Sequence, residues 1–249
     1  MTITRTGFAG FRPAAFQFLD GLRENNDPVW FKPRKGLYES EILAPFGALI
    51  AAVSQALSEA DIPLVGDPRR AIFRIYRDVR FSADKRLYKT HAGAVLTRSG
   101  TKRDPGLLYL HVEPGESMVA AGFWHPEPPM LLRLRRAIAA EPEEFLSIAD
   151  ELAGTGCPIG SDQQLSRLPR GFDAITDTRA ADYICRKSFT TRAKLSNAEM
   201  QSPDLVDRVV AFAKLVQPLL EWGWAAMDDD APPPLLLPEP THPLPKPDF

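Results

Sequence analysis

Residues 107–123, LLYLHVEPGESMVAAGF, contain two strand-like runs and the turn that joins them. Pro114 followed by Gly115 is typical of the two central positions of a type II turn. With a turn of this length, His111 faces Met118 on the neighbouring strand. The stretch therefore predicts an antiparallel hairpin.

Other patterns place this hairpin in a larger sheet between two sets of helices. Alternating apolar residues predict strands at 73–78, 91–97, 107–113 and 117–123. Apolar residues at helical spacing, each run opened by proline or a capping residue, predict helices at 13–25, 28–57, 128–152 and 203–224, with a restart after Glu141-Pro142 in the third. In the second of these, Pro33 and Pro45 should interrupt or kink the helix.

These elements indicate an α+β fold, with an antiparallel sheet of about four to six strands covered by N-terminal and C-terminal helices. We expect one domain over residues 1–226. Residues 227–249 are rich in proline, which predicts an extended and disordered tail. Shorter signals suggest a strand at 165–168 and a helix or strand at 183–189.

Composition narrows the class of protein. With 44% hydrophobic and 25% charged residues, the 249-residue chain resembles a soluble globular protein. We see no signal peptide and no window close to the roughly 20 apolar residues of a membrane span, so we expect a cytoplasmic protein without a membrane partner. Cys157 and Cys185 are the two cysteines, which is too few for a disulfide framework.

The strongest functional signal is a basic segment at residues 69–89. It contains eight Arg or Lys and two Asp, a net charge of +6, whereas the whole chain carries −2. Positive charge gathered in one place predicts a site for an anion. The chain has neither of the common glycine-rich phosphate loops, so arginine side chains would have to form the site.

Residues 74–88, RIYRDVRFSADKRLY, match the pattern RxxRDxRFxxx[DN]KxxY and resemble the bacterial family called domain of unknown function 2461. Similarity extends over residues 8–224, through the stretches FLDGLRENNDPVWF, LHVEPGES, AGFWHPE, RLPRGFD and CRKSF. Leu87 departs from the family pattern, which has proline there. The resemblance implies a group of conserved hypothetical proteins. It supports the location of a site and implies no reaction or cofactor.

The motif supplies the candidate ligand-binding residues. A guanidinium group binds carboxylate or phosphate through two parallel hydrogen bonds, and an aspartate beside it can orient it. A second aspartate, before Lys85, is suited to a turn that brings the end of the motif back to its start. The predicted site consists of Arg74, Arg77, Asp78, Arg80, Asp84, Lys85, Tyr88 and Lys89. The predicted ligand is a small phosphorylated or carboxylated molecule. Catalytic residues, cofactors and oligomeric state are not predicted.

Two other interpretations of the motif stay open. Its Asp and Arg side chains could pair with each other as a structural network in a protein-interaction scaffold. Cations between aromatic residues also suggest nucleic-acid binding, although an isoelectric point near 6.1 disfavours it. His111 and Glu113 share a strand face, but without a matched motif we predict no metal site.

Overall fold

A four-stranded antiparallel sheet forms the centre of the computed structural model, which describes residues 7–78, 80, 85–161 and 163–228. The strands lie side by side in chain order. They are β1 Ala92–Thr97, β2 Leu107–Val112, β3 Met118–Phe123 and β4 Phe189–Lys194. The first three match predicted strands to within one residue at each end. The α+β class is confirmed. All but the first two residues of the predicted tail lie outside the described residues.

The predicted hairpin joins β2 to β3. His111 is the register partner of Met118, as the turn length requires. The Glu116 amide donates to the Glu113 carbonyl over 3.2 Å, and Gly115 has a φ of +76°. A positive φ at the second central position is the reason that a type II turn favours glycine there.

Helices precede and follow the first three strands. They are α1 Pro13–Glu24, α2 Pro28–Phe31, α3 Lys35–Leu37, α4 Ala44–Glu59, α5 Pro128–Ala140, α6 Pro142–Gly154, α7 Thr178–Cys185, α8 Asn197–Met200 and α9 Leu205–Ala225. Four of them, α1, α2, α5 and α6, begin at a proline, whose fixed φ suits the first turn and whose missing N–H is not needed there. Most of the predicted helix starts are therefore confirmed.

Pro33 and Pro45 change the type of helix instead of ending it. Pro33 lies in the 3₁₀ turn Lys32–Arg34, and Pro45 follows the π-helical turn Tyr38–Leu43. Proline cannot donate a backbone hydrogen bond, and its ring crowds the carbonyl four residues earlier. A wider turn just before Pro45 relieves that crowding.

The resulting helical run, Pro28–Glu59, is long and apolar enough to cross a membrane by length and composition. The expectation that the chain has no such window is therefore wrong. Half of the most apolar 18 residues of this run are buried inside the protein. A core helix passes the same test, and α4 packs against α9 in the core.

The predicted strand at 73–78 is not continuous. In its place the structure has two single antiparallel bridges, between Ile72 and Ala94 and between Tyr76 and Tyr88. The pairing register moves by two residues between the bridges, so an irregular stretch separates them. Likewise, the predicted strand at 165–168 is reduced to a neighbouring bridge between Gln164 and Arg186.

Side-chain alternation gives the sheet two different faces. Along β2, Leu108, Leu110 and Val112 are buried in the core that also contains residues of α4 and α9. Leu107, Tyr109 and His111 point the other way and are half-buried. We call this second side the open face.

We predict that Gly223→Ala destabilises the protein. A Cβ atom at Gly223, in α9, would lie 2.2 Å from two ring carbons of the buried Phe123. Overpacking of this kind costs about 1–3 kcal/mol, which exceeds the roughly 1 kcal/mol that alanine gains over glycine in a helix. Urea unfolding measures the free energy of unfolding.

Gly154→Ala is the matched control, because Gly154 ends α6 and a Cβ there meets no atom within 4 Å. This substitution should leave the stability unchanged or raise it by up to about 1 kcal/mol. Equal stability of the two variants would contradict close packing of α9 on β3.

Candidate ligand site on the open face of the sheet

The open face forms the floor of a cleft with a volume of about 830 Å³. Val95, Tyr109 and Ala120 lie on the floor, and Phe73 and Trp124 are among the residues that line its sides. Clefts of roughly 300–1,000 Å³ are the usual size for small-molecule sites. The mixture of apolar and basic lining residues suits a ligand with an apolar body and an anionic group.

A chain of hydrogen bonds follows the open face along β2. The Tyr109 hydroxyl lies 2.9 Å from His111 Nδ1, and His111 Nε2 lies 2.8 Å from Glu113 Oε2. Gly93 makes room for this arrangement, because a Cβ there would come within 2.7 Å of the Tyr109 hydroxyl. Burial, together with the Glu113 charge, raises the pKa of Tyr109 to about 12, so Tyr109 stays protonated at neutral pH.

His91 completes this polar group from the residue just before β1. Its ring centroid lies 4.5 Å from that of His111. Burial and then the neighbouring His111 lower the pKa of His91 to about 4, which keeps His91 neutral at pH 7.

Glu113 is half-buried beside these two histidines. Burial alone would raise its pKa, but the hydrogen bond with His111 and nearby positive charge lower it overall. Part of that charge is Arg23, whose Nη2 lies 3.2 Å from Glu113 Oε1. The carboxyl group is therefore ionised at neutral pH.

Positive charge gathers next to this polar group. Lys89 Nζ lies 5.3 Å and Lys102 Nζ 4.6 Å from the centroid of the Phe73 ring. Arg74 and Arg77 are within electrostatic range of Lys89. We call Arg74, Arg77, Lys89 and Lys102 the cationic cluster.

The two lysines of the cationic cluster lie within electrostatic range of each other. Burial lowers the pKa of both, and the positive charges of Arg74 and Arg77 lower that of Lys89 further. Lys102 Nζ donates to the Ile72 carbonyl over 2.7 Å. Within the described part of the chain, neither lysine forms an ion pair with a carboxylate. The site thus presents positive charge that an anion would balance.

The structure brings together some of the predicted site residues. Arg74, Arg77 and Lys89 belong to the cationic cluster, with Arg77 and Lys89 also acting electrostatically on His91. Lys85 is exposed, four residues before Lys89. Asp84 lies outside the described residues.

Three other predicted site residues pair or pack with groups outside the cationic cluster, although Asp78 is also within electrostatic range of Arg74. Asp78 and Arg80 form a two-pronged ion pair at the surface, with distances of 3.0 Å from Nε to Oδ1 and 2.7 Å from Nη2 to Oδ2. Tyr88 is only 3% exposed and stacks on Phe31 with ring centroids 4.3 Å apart. Because its ring is buried in the core, Tyr88 has a packing role.

Sequence reasoning did not include His91, Phe73 or Tyr109 in the site. Every second residue before and into β1, namely Lys89, His91 and Gly93, is on the side of the open face. Continuing the strand alternation of β1 back to residue 89 would have placed these residues on the same face as His111. Phe73 is half-buried at the wall of the cleft. Only the strand register reveals that His91 lies beside Glu113.

A second, smaller cavity of about 370 Å³ lies near the start of α5. His125, Arg135 and Lys187 are among its lining residues. Arg135 Nη2 donates to the Arg186 carbonyl over 3.0 Å, while its buried Nε has no hydrogen-bond partner among the described residues. This cavity is a separate place where an anion could bind.

The cationic cluster is fixed to the N-terminal helices through Asn26. The Asn26 side chain donates to the Tyr88 carbonyl over 3.0 Å and accepts from the Tyr88 amide over 2.9 Å. Two hydrogen bonds to one residue's backbone hold the segment that carries Lys89. Beside it, the Arg77 amide donates to the Leu87 carbonyl, and the Lys89 amide donates to the Ile75 carbonyl.

Comparison with known proteins gives one match. A model of the family described as conserved hypothetical protein (DUF2461) matches residues 14–222. No curated protein and no solved structure matches the chain.

We predict that Asn26→Asp loosens the segment around Tyr88. Aspartate lacks the amide donor, so a carboxylate oxygen would face the Tyr88 carbonyl, at a cost of about 1–3 kcal/mol. Hydrogen exchange at the Arg77 and Lys89 amides should become faster, and urea unfolding should show the loss of stability. Asn25→Asp is the control, because the Asn25 side chain donates to the Gly21 carbonyl at the end of its own helix and not to the segment around Tyr88 in the described residues. Equal effects of the two changes would contradict the anchoring role of Asn26.

Proposed function

The chain belongs to this family of conserved hypothetical proteins (DUF2461), whose description gives no activity, and we propose from the site that it binds a small phosphorylated or carboxylated ligand in the cleft on the open face. The observation that carries the proposal is the pair of lysines above the Phe73 ring, without a carboxylate partner among the described residues. Both cysteines are free thiols, which agrees with the cytoplasmic location that we propose.

Bringing like charges together is unfavourable unless something of opposite charge is bound between them. Lys89 and Lys102 are close enough to repel each other, and partial burial of the two ammonium groups reduces the screening of that repulsion. An anion would relieve that repulsion and accept hydrogen bonds from the ammonium groups. A hydrogen bond to a charged group contributes about 1.5–3 kcal/mol.

The other residues that line the cleft indicate the chemical character of the rest of the ligand. Val95, Leu107 and Met118 give the cleft an apolar floor, and Phe73 offers a ring face at its wall. Apolar surface beside a few charged groups is the usual composition of a small-molecule site. We therefore propose a ligand with an apolar or ring-shaped part and one anionic end that contacts the cationic cluster.

The two alternative interpretations fit the geometry less well. The structural-network interpretation fits Asp78 and Arg80, which form an ion pair at the surface. The same interpretation does not fit Lys89 and Lys102, because neither has an acidic partner among the residues that the structure covers. Nucleic-acid binding usually needs a broad basic face, whereas these two lysines contact a single ring that lines the cleft, in a chain of net charge −2.

We predict that small phosphorylated or carboxylated molecules raise the melting temperature of the protein in a thermal-shift screen. A ligand at 100 times its dissociation constant stabilises the native state by about 2.7 kcal/mol. The screen should contain inorganic phosphate, sugar phosphates, nucleotides and aromatic carboxylic acids. No shift with any of them would overturn the proposed function.

We further predict that Lys89→Met and Lys102→Met each weaken binding of the best ligand at least tenfold, about 1.4 kcal/mol, because each removes one charged donor. Methionine keeps the unbranched apolar length of the lysine stem. Isothermal titration calorimetry measures the affinity. Lys187→Met, in the smaller cavity, is the matched control and should bind as the unchanged protein does. The reverse pattern would show that the anion binds in the smaller cavity.

A further inference from the structure

We infer that His91, His111 and Glu113 form a binding site for a divalent transition-metal ion at the polar end of the open face. Among the described residues, these three place one possible ligand atom each within 4.8 Å of one another. Two imidazole nitrogens and one carboxylate oxygen form a donor set that suits zinc and iron(II). The inference does not depend on the proposed anionic ligand.

The sheet itself places the three donors together. β1 and β2 pair with Ala92 opposite Val112 and Gly93 opposite His111. One further step in this register sets His91 opposite Glu113, and His111 is two residues from Glu113 on the same strand face. His111 lies within β2, while His91 and Glu113 are the residues immediately before β1 and immediately after β2, so the paired strands hold all three donors in position.

Outer contacts orient two of the three donors. The Tyr109 hydroxyl lies 2.9 Å from His111 Nδ1, which leaves Nε2 of that ring directed toward Glu113. Arg23 Nη2 lies 3.2 Å from Glu113 Oε1, which leaves Oε2 facing His111. Histidine ligands in metal sites commonly have their second nitrogen fixed in this way, and their carboxylate ligands are commonly hydrogen-bonded as well.

Without a metal, a proton joins His111 Nε2 to Glu113 Oε2 across 2.8 Å. A metal ion would take the place of that proton, which would pass to solvent, so that both atoms become ligands. Three protein donors leave at least one coordination position for water or another ligand. Magnesium and calcium prefer all-oxygen sites and are not expected here.

Charge determines which donor matters most. The positive charges of Arg77 and Lys89 act on His91 and therefore disfavour a metal cation beside it. Glu113 is the one anionic donor of the three and compensates for them. Replacing its carboxylate should therefore abolish binding even when the shape of the side chain is kept.

The test is calorimetric titration of metal-free protein with Zn²⁺, and titration with Co²⁺ followed by visible absorption. We expect one equivalent of each ion to bind, with cobalt bands typical of nitrogen and oxygen ligands. Glu113→Gln and His91→Gln should each lower the Zn²⁺ affinity at least tenfold. His125→Asn is the matched control, because His125 lines the smaller cavity and has a φ of +43°, which asparagine tolerates. It should bind Zn²⁺ as the unchanged protein does.

Circular dichroism checks that each variant is folded. If Glu113→Gln does not fold, Tyr109→Phe serves in its place, since it removes only the hydroxyl beside His111 Nδ1 and should lower affinity about 10- to 100-fold. Failure of the unchanged protein to bind Zn²⁺ or Co²⁺ at millimolar concentration would overturn the inference. So would unchanged affinity in the folded variants. Neither result bears on the lysine variants, which test the anionic ligand separately.

Discussion

The two-residue alternation of side chains along the strands is the constraint on which the site depends. Every second residue of β2 joins the core with α4 and α9, and the residues between them must therefore point to the open face. This alternation alone places Tyr109, His111 and Glu113 on the same face. A shift of one residue in the register would move all three into the core.

Local sequence was enough to predict most of the fold. Proline at the first position of four helices, and Pro-Gly between β2 and β3, act through backbone geometry that neighbouring residues alone determine. The segment at 73–78 was predicted less well. Its bridges depend on partners near Ala94 and Tyr88, and the irregular pairing between them cannot be recognised from alternation.

The candidate site was predicted only in part, for the same reason. Charge density identified Arg74, Arg77 and Lys89, because a run of basic residues is visible in any window. Burial and pairing are not visible in that way: Tyr88 belongs to the core, and Asp78 and Arg80 satisfy each other at the surface. His91 and Glu113 lie far apart in sequence, and only the pairing of β1 with β2 brings them together.

Both outer edges of the sheet are covered by irregular chain. Val65 and Phe73 hydrogen-bond to β1, while Gly160 and the Cys157 carbonyl bond to β4 through Thr190 and Thr191. Exposed strand edges invite pairing with another molecule, so these short contacts shield the sheet from aggregation. A mutation that freed either covering segment would be expected to reduce solubility before it unfolded the core.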